Sequence, residues 1–181
     1  MDQAEERESI KRVLDGERGS YKLLVEAYKK QIFNLALRMT GSCSDADDLT
    51  QETFIQAYRQ LPKFRMEKKY FTWLYTISLN LIRNHLRKKA REETILKDDG
   101  LTLAMNAQCV NTDACSEDAM INLEKNLLKL PFDVREAILL KFYHDLSFEE
   151  TADVTGHSVS AVKMRVYRGL EKLKKWMENE E

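Results

Sequence analysis

The 181-residue sequence is poor in the residues that break helices: it holds two prolines and six glycines. Runs of β-branched residues are scarce as well. Together these exclude a turn-rich sheet protein and predict a nearly all-α chain. No apolar run reaches the length of a membrane span, and the acidic N-terminus does not resemble a signal peptide. The expectation is therefore a cytoplasmic protein with no direct membrane insertion. Cysteine is limited to Cys43, Cys109 and Cys115. Cys109 and Cys115 have no histidine nearby, which excludes a zinc site, and all three fit structural or incidental roles in a reducing compartment. No nucleophile–base arrangement and no cluster of metal-ligating side chains is visible, so neither an enzyme nor a cofactor, metal or small-molecule substrate is expected.

Charge is abundant but unevenly placed. Hydrophobic residues make up 43% and charged residues 33%, with a formal net charge of −1. That total argues against a polyanion partner, yet the distribution argues for one. Residues 81–91 carry five Arg or Lys and no acid; residues 161–176 carry six against one Glu. Between them, residues 92–124 hold eight acids and one Lys. Local fields, not the sum, steer a polyanion.

Helical periodicity organises the chain. Ser20 is placed to cap a helix that ends at Thr40-Gly41-Ser42, and Ser44 to cap an acidic helix closed by Leu61-Pro62. A short loop over 63–69 precedes a third long helix. After Arg91 the composition turns acidic and polar, and 92–115 reads as a flexible linker. Ser116 can start a helix through Leu130, Pro131 allows a break, and another helix follows from Phe132 to about Tyr143. The fold class is all-α, with two small helical domains, 1–91 and 116–181, joined by an acidic linker, 92–115.

The C-terminal part carries a helix-turn-helix pattern. Ser147 and Glu150 form a capping box. Ala152, Gly156 and Val162 have the small–glycine–aliphatic spacing of two helices crossing closely through a tight turn. On the second helix Val162, Val166, Gly169, Leu170 and Leu173 share one side, while Ser160, Met164, Tyr167 and Arg168 share the other. Lys163 and Arg165 flank them. Base-edge contacts in the middle and phosphate contacts at the margins would suit that layout; an ordinary amphipathic helix with a solvated basic face fits it too.

The stretch "YFTWLYTISLNLIRNHLRKK", from Tyr70 to Lys89, joins four aromatics to a basic end. Tyr75, Leu79, Ile82 and Leu86 form an apolar stripe; Asn80, Arg83, Asn84 and Arg87 form a donor-rich polar one. The aromatics are either core or platforms for unpaired bases. The acidic helix "SDADDLTQETFIQAY" has an inner stripe of Ala46, Leu49, Thr53 and Ala57. Asp47, Asp48, Gln51, Glu52 and Ile55 lie on its outer face. It lacks the glycine and spaced oxygens of a calcium loop. Its outer face is a solvated surface or a protein-docking site.

In this order, "DADDLTQETFIQAY", "FTWLYTISLNLIRNHLRK" and "LPFDVREAILLKFYHDLSFEETADVTGHSVSAVKMRVYRGLEKLK" resemble the extracytoplasmic-function sigma factors of bacterial RNA polymerase. The resemblance implies a non-enzymatic factor that binds core polymerase, directs it to promoters and helps melt the minus-ten region. It implies that Asp48, Gln51, Glu52 and Ile55 dock on the clamp helices of the β′ subunit. Phe64, Lys69, Tyr70, Asn80, Arg83, Asn84 and Arg87 would hold the minus-ten element as a single strand. Ser160, Lys163, Met164, Arg165, Tyr167 and Arg168 would read the minus-thirty-five duplex. The linker would thread the RNA channel, and the partners would be core polymerase (including its β subunit), promoter DNA and an anti-sigma factor. The chain departs from many relatives in having Asn84 for Asp and Ser160-Ala161 for Gly-Thr, which touches base preference rather than fold. A dimeric helix-turn-helix repressor is the alternative reading, and a scaffold protein a third.

Overall fold

The computed structural model describes residues 1–98 and 117–178, and every regular element among them is helical. Among the described residues eight α-helices follow one another: α1 (Gln3–Leu14), α2 (Tyr21–Thr40), α3 (Cys43–Gln60), α4 (Tyr70–Asp98), α5 (Glu117–Lys129), α6 (Phe132–Ile138), α7 (Phe148–Thr155) and α8 (Val159–Glu178). A π-helical turn, Leu139–Tyr143, continues α6.

Helix α1 has no counterpart in the sequence reading. Asp2 caps it in a full capping box with Glu5. Its buried Ile10 and Val13 anchor it to the core, each contributing about 1.5–3 kcal/mol if fully exposed on unfolding. Buried Glu6 accepts hydrogen bonds from the Tyr28 hydroxyl and from the backbone N–H of Tyr70. A carboxylate thus sits on the first turn of α4, where unpaired N–H groups and the helix dipole favour it.

Two caps differ from expectation. Ser20 makes no side-chain cap, because a 3₁₀ turn over Arg18–Ser20 already feeds α2. Helix α3 starts earlier, with Ser42 accepting from the Asp45 N–H. Gly41 ends α2 in the left-handed region at φ 72°, a conformation glycine adopts without steric cost. Helix α4 runs on to Asp98, past the end expected at Arg91. Cys109, Cys115 and most of the linker lie outside the described residues.

Helices α2, α3 and α4 pack on one another, and α6, α7 and α8 form a second group. The capping box of Ser147 and Glu150 and the left-handed Gly156, φ 72°, stand as the sequence predicts. Ala152 and Val162 are buried in their own small cluster with Ala137 and Val166. Gly169 serves close approach: a Cβ there would lie 2.5 Å from Val134 Cγ1 and 2.6 Å from Ile138 Cδ1. The two groups also meet. Helix α2 packs on α5 and α6, helix α4 packs on α7, and one apolar cluster runs from Leu24 and Leu79 to Leu127 and Leu139.

Candidate nucleic-acid and polymerase interfaces

Helix α3 turns its small and apolar residues inward: Ala46, Thr53 and Ala57 are fully buried. Its outward face carries Asp48 and Gln51, both exposed, with Gln51 donating to Asp47 Oδ2 at 3.2 Å. Glu52 is half-buried and accepts from Gln56 Nε2 at 2.7 Å. Ile55 is 45% exposed. It opens an apolar cleft shared with Phe54, Tyr58, Tyr21, Arg18 and Arg59. Sequence reasoning missed Tyr58, although its place three residues after Ile55 puts both on one helical face.

Helix α4 separates its stripes as projected. Leu79 and Ile82 are buried, Tyr75 nearly so, and Leu86 is half-buried. Asn80, Asn84 and Arg87 are exposed, and Arg83 is half-buried, donating from Nη1 to Asn80 Oδ1 at 3.1 Å. The N-terminal aromatics correct one expectation. Tyr70 is completely buried and Phe64 nearly so. Their rings pack on each other and on Trp73 at centroid separations of 5.0–5.7 Å. In this arrangement neither ring offers a face to a base. Two large rings at the start of α4 gain more by covering the core than by standing in water. Phe71 and Trp73 are the half-buried rings of the cluster. Lys69 is exposed at its edge.

Helix α8 presents Ser160, Lys163, Met164, Tyr167 and Arg168 to solvent, with Tyr167 62% exposed. Arg165 is half-buried and lies 3.5 Å from Asp133 of α6. The Lys163 ammonium sits 5.4 Å from the centre of the Phe148 ring. Val162 and Val166, on the opposite side, have no exposed surface.

Glu136 of α6 is an acid buried where α6 meets α4. Its carboxylate is buried and accepts from Arg83 Nη2 at 3.0 Å. Burial raises its pKa to about 7, an effect that Arg83 only partly opposes. His144 is also buried, which lowers its pKa to about 4 and keeps the imidazole neutral. Its Nδ1 lies 2.9 Å from the Tyr75 hydroxyl of α4. Among the described residues no group of three or more His, Cys, Asp and Glu side chains is placed to hold a metal ion. No helix among them is long and apolar enough to cross a membrane.

Comparison with known proteins places these helices in a family. Residues 24–92 match the model of Sigma-70 region 2, and residues 121–173 match that of Sigma-70 region 4. The chain is 35% identical over 179 residues to the ECF RNA polymerase sigma factor SigW of Bacillus subtilis, covering 93% of this chain and 95% of that protein. It is 31% identical to the RNA polymerase sigma-H factor of Pseudomonas aeruginosa, covering 97% and 95%. The fold is shared with the sigma factor RpoE in complex with the anti-sigma factor NepR from Bartonella quintana. That match has TM-score 0.74 and 24% identity, over 87% of this chain and 96% of that one. It is shared equally with CnrH in complex with the cytosolic domain of CnrY, again at TM-score 0.74 and 24% identity, over 98% and 99%. These matches set aside the dimeric repressor: the chain belongs to the ECF sigma factors, the alternative sigma factors that direct RNA polymerase to promoters.

Proposed function

We propose a division of labour among three faces. The outward face of α3, with Asp48, Gln51, Glu52 and Ile55, docks on the β′ clamp helices of core polymerase. The stripe of Asn80, Arg83, Asn84 and Arg87, with Lys69, holds the minus-ten element as an opened strand and so helps melt the promoter. Phe64 and Tyr70 support that wall from beneath, and Phe71 and Trp73 are the rings beside it that reach solvent. Ser160, Lys163, Met164, Arg165, Tyr167 and Arg168 read the minus-thirty-five duplex. The units 1–91 and 116–181 act as the two promoter-reading domains, with the acidic linker 92–115 following the RNA channel. An anti-sigma factor is the expected inhibitor, as the named complexes of both structural neighbours suggest. The site of action is the cytoplasm.

The observation that carries this reading is the separation of stripes on α4. A helix with a buried apolar side sets out Asn80, Asn84 and Arg87 on the other, with Arg83 half-buried at their margin, a row of donors suited to an unpaired strand's phosphates and base edges. Unstacking a base costs a few kcal/mol, which such contacts must offset. The test is transcription in vitro with core polymerase on a genomic promoter library, with permanganate footprinting of opened thymines. Promoter-specific initiation with a reactive minus-ten region is expected. Initiation no more specific than that of core enzyme alone overturns it.

A further inference from the structure

Two cations assigned above to the opened strand are already occupied by carboxylates from the C-terminal helices. Arg83 donates to Glu136 at 3.0 Å, and its guanidinium lies 5.1 Å from the centre of the Phe132 ring. Lys69 Nζ lies 2.5 Å from Glu150 Oε1. Further contacts join the same two groups of helices. Arg38 of α2 pairs with Glu124 of α5 at 3.5 Å and lies over the Tyr143 ring at 4.4 Å. Tyr75 meets His144, and the Leu128 side chain is seated against Gly41, where an added Cβ would lie 2.8 Å from it. The helix-turn-helix face is left open, with Lys163, Met164, Tyr167 and Arg168 all exposed.

We propose that Glu136 and Glu150 stand in for DNA phosphates, so that the α6–α7 surface and an opened promoter strand compete for Arg83 and Lys69. The proposal rests on the strand-binding role assigned to α4 above. Carboxylate and phosphate oxygens are recognised by the same guanidinium and ammonium donors, and neither cation can serve both at once. The two pairs differ in strength. Lys69–Glu150 is half-exposed and is the weaker of the two. In Arg83–Glu136 the carboxylate is buried and the guanidinium half-buried, and separating them would strand the carboxylate unless α6 also gains water. Release of Arg83 therefore requires α6 and α7 to leave α4 as a unit. The closed chain keeps its duplex-reading face and withholds Arg83 and Lys69 from its strand-reading face.

The test uses the full chain with Glu136→Gln and Glu150→Gln together. Gln keeps an acceptor for Arg83 and retains the capping box of α7, which accepts Glu or Gln; at about pH 8, where Glu136 is ionised in the folded chain, both charges are lost. The probe is a fluorescent single-stranded oligodeoxynucleotide of mixed sequence. The apparent affinity of the free chain is lowered by the fraction that is open, so the double variant is expected to bind on the order of tenfold more tightly. Its radius of gyration in small-angle scattering should rise as well. A control with the exposed acids exchanged, Glu26→Gln and Glu171→Gln, removes the same charge and should change neither. Glu150→Gln alone, away from the buried site, should move both readouts in the same direction by less. That keeps the test valid should the buried substitution impair folding. No gain in strand binding for a folded Glu150→Gln chain, or an equal gain in the control, overturns the competition. So does a gain that persists in full when Arg83→Ala and Lys69→Ala are both added to the double variant. Strand capture by the holoenzyme separates the two levels. If Arg83→Ala weakens it but the acid variants gain nothing, the competition alone fails. If Arg83→Ala leaves it unchanged, the strand-binding role of α4 fails, and the competition with it.

Discussion

Arg83 of α4 and Glu136 of α6 are 53 residues apart in sequence, yet Nη2 of one lies 3.0 Å from Oε2 of the other, and the carboxylate is fully buried. The pair joins the half of the chain that matches region 2 to the half that matches region 4. Its pH behaviour follows from burial. The folded chain holds a proton on Glu136 up to about pH 7, whereas an unfolded chain releases it near the ordinary carboxylate value of about 4.3. The folded state therefore binds more protons between those values, and stability falls as pH rises through that window.

Wild type should accordingly lose stability relative to Glu136→Gln as pH climbs from about 4 to about 7, and the difference should level off above that. His144 acts in the other direction. Its depressed pKa makes stability rise between about pH 4 and its ordinary value near 6.5. That contribution is common to both proteins and drops out of the difference. Urea midpoints at a series of pH values provide the measurement; a pH-independent difference would contradict the burial argument. The groups facing the carboxylate are Arg83 from α4, Asp133 from its own helix and Arg165 from α8.

Gly169→Ala opposes two effects. Alanine improves helix propensity by about 1 kcal/mol. Its methyl would collide with Val134 and Ile138 at 2.5–2.6 Å, and overpacking costs about 1–3 kcal/mol. A net loss on the order of 1 kcal/mol is expected, seen as a lower melting temperature with unchanged helical circular dichroism. A higher melting temperature would mean that α6 and α8 can separate freely.

Glu52→Lys should weaken capture of core polymerase while leaving the fold intact. The position is half-buried, and its carboxylate is bonded to Gln56 of the same helix, so charge reversal changes a surface more than a core. Pull-down with core enzyme and circular dichroism check it. Undiminished capture by a folded variant would remove α3 as the docking face.

Arg168→Ala and Asn80→Ala should separate the two readers. Loss of one good base contact from α8 should cost about 1–3 kcal/mol of upstream duplex affinity and relax preference at one or two positions. Asn80→Ala should leave duplex binding nearly unchanged and slow promoter opening instead. Gel shifts on upstream duplex and permanganate footprints, run on both variants, decide between them. Equal effects on duplex affinity with no effect on opening would contradict the assignment.

Local pattern was enough for much of this molecule. The scarcity of proline and glycine, the capping box at Ser147, the left-handed Gly156 and the two stripes of α4 are all matters of residues within a few turns of one another, and the helices formed where those signals lay. The outward face of α8 was legible for the same reason: a period of 3.6 residues sorts side chains before any partner helix arrives. Tertiary structure decided the rest. Tyr70 and Phe64 could serve a surface or a core equally well by sequence, and only the neighbouring Tyr28 and Trp73 settle them inside. Helix α1 has an ordinary charged sequence, and its purpose emerges from Glu6 reaching the first turn of a helix 64 residues away. Glu136 reads as one more acid on an amphipathic helix. Its burial, its raised pKa and its hold on Arg83 depend on two groups of helices closing on each other, because the energy of a buried charge is set by what surrounds it in space and not by its neighbours in the chain.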